Sequence, residues 1–416
     1  MKNIKSLVSL PLLLWVVLNP VSAIAAVYAG TVLDAKTRKP LENAFVTLGT
    51  TVVRTDFKGK FIINGSGDKL GIRAYGHARV DAPLSHDSAP ITLAPFIPKA
   101  IYLSFYGIGD KSLRHAALDV IQRTEVNALV IDLKGDRGGV SFKSSIPLAT
   151  QIGAQKITTI KDVSGLVTEL HAKGLYVIGR IVVFKDNPLA SAHPELALKT
   201  KGGVTWKDRE GLSWPDPFST TVWNYNIDLA VEAARAGFDE IQFDYVRFPD
   251  SPEPVYSKPN TEENRVGAIS GFLGEARKRL IPYNVFLAAD IFGYVAWNTD
   301  DTHIGQKLQN LSEVLDYLCF MLYPSGFKFG IPGYLNPVQH PREIVLLSLE
   351  KAQQRSSLPA IRFRPWLQAF RDYAFDRRWF KNDQIRAQIE ASDHFGSDGW
   401  MLWNPHNLYG DGLRSK

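Results

Sequence analysis

Two aspartates have the surroundings that acid–base chemistry needs. Asp244 closes the apolar run EIQFD at 240–244, just ahead of Tyr245, Arg247 and Pro249, and Asp290 closes VFLAAD at 285–290. A protonated carboxyl group and an ionised one are the minimum equipment for breaking a glycosidic bond. The acid delivers a proton to the leaving oxygen, and its partner attacks the sugar or activates water. Arg247 is placed to pair with Asp244 and keep it charged, whereas Asp290, among Ala288, Ala289, Ile291 and Phe292, sits where desolvation favours the neutral acid. The plainer reading of Asp244 and Arg247 is an ion pair that closes a strand end.

Other apolar runs end in the same way, and that points to one shared polar face. The run 128–134 ends in Asp132 and Lys134, which could pair with each other or grip substrate hydroxyls; 176–183 carries Arg180; later runs end at Tyr323, Gln368 and Trp403-Asn404. Of these, Asp132, Lys134, Tyr323, Gln368, Trp403 and Asn404 are, with Arg247, the expected substrate contacts. Trp206 and Trp214, in a long segment at 185–217, are candidates for stacking on sugar rings or for plugging a loop.

The elements that must position these groups follow from the hydrophobic period. Beyond Pro98, apolar runs at 100–105, 128–133, 176–183, 240–245, 285–291, 317–323, 363–367 and 400–403 alternate with segments of helical spacing such as 222–236 and 385–395. Eight strands in βα repeats predict a (β/α)₈ TIM barrel, with the site at the carboxyl-terminal ends of its strands. From 27 to 95 the period is two, with turns at Lys58-Gly59 and 65–67, which predicts a small all-β sandwich. The basic start, the apolar run 7–18 and the small residues 23–25 predict a signal peptide over 1–26, hence an exported chain, periplasmic or secreted, with no stable membrane insertion after cleavage. The expected domains are therefore 27–95 and 99–410.

Several chemistries lack their motifs. There is no His-Glu-x-x-His, the nine histidines are dispersed, no Gly-x-Ser-x-Gly elbow is present, and the glycines at 135–139 match no phosphate-binding spacing. The sequence therefore predicts no metal and no cofactor. The net charge of +6 includes Lys2 and Lys5 and is otherwise scattered, which argues against nucleic acid as a partner. Cys319 is the only cysteine, so no internal disulfide can form, and its apolar neighbours predict a buried thiol. Oligomeric state is not encoded in any feature of the sequence.

The motifs IQFDYVRFP (241–249), ADIFG (289–293), MLYPS (321–325), RPWLQ (364–368) and GWMLWN (399–404), in that order, resemble a glycosyl hydrolase barrel family catalogued as a domain of unknown function. The resemblance implies a barrel related to the α-amylase-like hydrolases. GTVLD (30–34), KPLENA (39–44) and TDFKGKF (55–61) resemble the carboxypeptidase regulatory-like sandwich module. The expected function is hydrolysis of a cell-envelope poly- or oligosaccharide by Asp244 and Asp290. The rival is a non-catalytic carbohydrate-binding barrel. A carboxyl separation of about 5 to 9.5 Å across an open cleft favours hydrolysis, and an Asp290 turned into the core or plugged by a salt bridge favours binding.

Overall fold

The computed structural model describes residues 26–84 and 89–416; the expected signal peptide lies outside them, apart from its last residue. The first seven strands are β1 (Ala26–Asp34), β2 (Phe45–Leu48), β3 (Thr51–Arg54), β4 (Lys60–Gly65), β5 (Lys69–Arg73), β6 (Val80–Pro83) and β7 (Ile91–Leu93). They form a three-stranded sheet, β4-β1-β7, and a four-stranded sheet, β3-β2-β5-β6. Alternate residues from both sheets, among them Val32, Val46, Leu48, Phe61, Ile63 and Ile72, share one apolar core. The alternating runs 30–33, 44–48, 60–63 and 70–73 signal β1, β2, β4 and β5. β3, β6 and β7 carry no such signal because they are short and mostly half-exposed, whereas β2, no longer than β3 or β6, is buried throughout.

Eight parallel strands follow and close into a barrel. They are β8 (Lys99–Leu103), β9 (Ala128–Lys134), β10 (Tyr176–Val182), β11 (Glu240–Asp244), β12 (Phe286–Phe292), β13 (Tyr317–Met321), β14 (Trp366–Gln368) and β15 (Trp400–Trp403). Their side chains alternate, with an irregularity at the end of β9. Ile241, Phe243, Leu287, Ala289 and Ile291 face the helices, while Ala128, Val130, Tyr176, Ile178, Phe286 and Ala288 fill the interior. Asp132, Arg180, Asp244 and Asp290 continue the interior phase one step further toward the carboxyl-terminal mouth. The helix Thr220–Ala236 ends on Gly237, whose φ of 106° lets the chain turn sharply back into β11.

The small sheets cover the amino-terminal end of the barrel. Tyr75 stacks on Phe286 and meets Tyr317 edge-on, both at the starts of their strands. Asn284 donates to Val80 O and Asp81 Oδ1, at 3.1 Å each, and sits against Gly71, where a Cβ would lie 2.6 Å from its own. Arg79 donates to Asp239 and to Gly237 O. Removing this cover would bare aromatic rings and buried charges. Tyr75→Ala is accordingly expected to lower stability by about 2 kcal/mol, while turnover per folded molecule stays unchanged. Denaturant titration beside a rate assay checks this.

Candidate active site

One guanidinium organises the mouth of the barrel. Arg180 is 1% exposed, and it donates to Asp132 Oδ1 (2.6 Å), Asp136 Oδ1 (2.9 Å) and Asp244 Oδ2 (3.1 Å from Nε, with Nη2 also bonded). The same Nε lies 3.7 Å from Asp290 Oδ2. Its planar fork permits this, since several donors diverge from one rigid group that stays charged when buried. The ring of Trp403 lies 5.0 Å from the guanidinium carbon.

Asp290 is the most deeply buried of these carboxyls, at 1% exposed. Burial, and after it the charge of Asp244, pushes its pKa well above the usual carboxylate range, against the opposing pull of Arg180 and of Trp366. Trp366 donates its indole N–H to Oδ1 at 2.6 Å. Asp244 lies beside a strained backbone. Tyr245 has φ of 48°, rare for an aromatic residue, and its N–H bonds Asp244 Oδ1 at 2.5 Å. This turn fixes the carboxylate at the strand end with one oxygen on the backbone and the other on Arg180.

Asp244, Asp290, Arg247, Tyr323 and Trp403 line one cavity of about 640 Å³, together with Asp136, Arg180, Trp366, Phe370, Arg371, Tyr373, Trp379 and His406. Trp379 and Tyr373 are 55% and 47% exposed, and Phe370 lies parallel to Tyr373, 5° from coplanar. They offer flat apolar faces beside polar groups, the surface that a sugar ring fits.

Other expected contacts are placed elsewhere. Lys134 is fully buried, paired with Asp186 at 2.6 Å and bonded to Asn226, so it neither pairs with Asp132 nor reaches the cavity. The cause is local: the register between β9 and β10 shifts after Arg180, beside Lys134. Asp132 is held by Arg180, the Tyr102 hydroxyl (2.6 Å) and the Phe105 N–H, in the wall of an adjoining cavity of about 300 Å³. Gln368 is buried and ties Ser325 to Phe370 O. Asn404 donates to Ala369 O and Leu408 O, away from the main cavity. Trp206 and Trp214 are buried, bonded to Glu253 beyond β11 and to Asp208, and are plugs rather than stacking faces. Arg247 lies over the rings of Trp214 and Tyr245 and donates to Phe248 O; the cation paired with Asp244 is Arg180.

Burial raises the Asp132 carboxyl to about 6, even though Arg180 and Tyr102 oppose the shift. Because the folded value lies above the unfolded one of about 3.9, the native state binds the extra proton. Asp132 therefore contributes stability that is complete below pH 4 and is lost as pH rises through 6. Asp132→Asn should remove this slope, on the order of 2–3 kcal/mol across that window. Thermal melts of both proteins from pH 4 to 7 measure it.

Residues 100–409 match the model of a family described as "Putative glycosyl hydrolase domain". No curated protein matches the chain. A hypothetical protein from Ruminiclostridium thermocellum is 40% identical over 46% of this chain and 96% of its own, with a TM-score of 0.41. The PgaB (BpsB) glycoside hydrolase domain from Bordetella bronchiseptica is 16% identical over 75% of this chain and 95% of its own, with a TM-score of 0.55; at that identity the likeness shows the barrel fold. With the family model covering the whole barrel, the chain belongs to this glycosyl hydrolase family.

Proposed function

We propose that the chain hydrolyses O-glycosyl bonds of a poly- or oligosaccharide, with Asp290 as proton donor and Asp244 as nucleophile or base. The observation that carries this reading is the shared Arg180 Nε, 3.1 Å from Asp244 Oδ2 and 3.7 Å from Asp290 Oδ2. The two oxygens are therefore less than about 7 Å apart in the wall of one cleft, a bound that includes the retaining separation of about 5–5.5 Å and only the shortest inverting ones. Trp366 occupies Oδ1 of Asp290, so the transferable proton belongs on Oδ2. Tyr373 and Trp379 supply stacking faces for the sugar.

The cell envelope is the proposed place of action, supported by the leader-like amino terminus. Among the described residues no helix is long and apolar enough to cross a membrane. The proposed division is a carboxypeptidase regulatory-like module over 27–95 and an α-amylase-related barrel over 99–410. The burial of Asp290 beside Arg180 favours a second reading, a non-catalytic carbohydrate-binding barrel. Incubating the purified protein with a panel of envelope polysaccharides separates the two. New reducing ends support hydrolysis; saturable binding without cleavage supports the second reading.

A further inference from the structure

At the opposite end of the barrel from the catalytic mouth, three guanidinium groups border a cavity of about 260 Å³ where the small sheets meet the barrel. Arg54 and Arg73 come from β3 and β5, and Arg277 from the helix Glu262–Leu280. The single carboxylate in the lining is Asp316. Both of its oxygens are already committed, Oδ1 to Arg277 Nη2 and Oδ2 to the Leu287 N–H, at 2.9 Å each.

Arg73 is the exceptional member. It is 5% exposed, and its Nε and Nη1 are buried without a hydrogen-bond partner. Its guanidinium lies over the Phe45 ring, 4.3 Å from the centroid, which supports one face of the plane and leaves the in-plane donors unserved. A desolvated charge with unmade hydrogen bonds is costly, and an anion at its edge offsets both.

We propose that this junction binds an oxyanion, a phosphate, sulfate or carboxylate group, that accepts from Arg73 and is flanked by Arg54 and Arg277. With three cations against one committed carboxylate, the pocket keeps an excess of positive charge for the ligand. Because its donors come from both the sheets and the barrel, an occupied site joins the two and stabilises their contact. The same chemistry is presented by a free inorganic ion and by a phosphorylated sugar of the envelope.

The test is a thermal-shift titration of the full chain with inorganic phosphate and, separately, with glucose 6-phosphate, at constant ionic strength set by chloride. The expected result is a saturable rise in melting temperature with at least one of the two, and an apparent Kd weakened by about tenfold or more in Arg73→Met, the worth of losing charge-assisted hydrogen bonds. Without ligand, Arg73→Met should melt no lower than the parent, since methionine keeps contact with Phe45 and removes an unpaired charge. Preference for phosphate identifies a free ion as ligand, and preference for the sugar phosphate identifies an envelope group. Absence of a saturable shift with both, or an equal shift in Arg73→Met, overturns the proposal.

Discussion

Asp290→Asn is expected to lower turnover on a sugar polymer by about 10²–10⁴-fold, the worth of a positioned general acid. An aryl glycoside whose leaving group needs no proton should lose much less. This contrast separates loss of the acid from general damage to the cleft. Stability should move the other way. Burial and the Asp244 charge raise the folded pKa of Asp290 above its unfolded value, so the stability it contributes is complete below the unfolded pKa and is lost as pH rises through the folded one. The amide does not titrate, and its variant should therefore gain on the parent as pH rises. Equal losses on both substrate types would contradict the acid role.

Arg180→Met is expected to cost about 3–5 kcal/mol at neutral pH, as breaking a buried ion pair does. Methionine keeps much of the volume but leaves Asp132, Asp136 and Asp244 without their shared cation, with Asp290 close by. Lowering the pH protonates Asp132, whose carboxyl burial already raises to about 6, so the deficit should shrink between pH 7 and pH 5. Arg180→Lys keeps the charge but loses the fork, and should fall between parent and methionine variant. Denaturant titrations of the three proteins at both pH values measure the effect. A deficit independent of pH would mean that packing, and not charge, is what Arg180 supplies.

Much of this arrangement was legible in the sequence. All eight barrel strands announced themselves, because parallel strands buried on both faces read as apolar runs separated by helical spacing. Asp132, Arg180, Asp244 and Asp290 end their runs side by side, and Asp290 is buried as its apolar neighbours suggest, whereas Lys134, Gln368 and Asn404 turn away from the main cavity. Pairing across strands was less accessible. Arg180 reaches Asp132 and Asp244 on the two neighbouring strands, a relation that depends on register, while Arg247 looked nearer to Asp244 by sequence alone. The irregularity that withdraws Lys134 into the shell is likewise a property of two paired strands. Aromatic faces were sought in the long loop holding Trp206 and Trp214, yet both rings are buried in the main apolar core of the barrel's shell. The exposed rings at the cleft, Tyr373 and Trp379, come instead from 370–379, which has no period by which to place it, beside Tyr323, Trp366 and Trp403 from the strand ends.

The pairing of Asp244 with Asp290 is tested most directly by rates measured on one cleaved polysaccharide for the parent, Asp244→Asn and Asp290→Asn, each shown to be folded by its melting temperature. Both variants should fall by orders of magnitude and the double variant scarcely further, because residues that act as a unit do not add. Parental rates in both folded single variants would place the chemistry elsewhere.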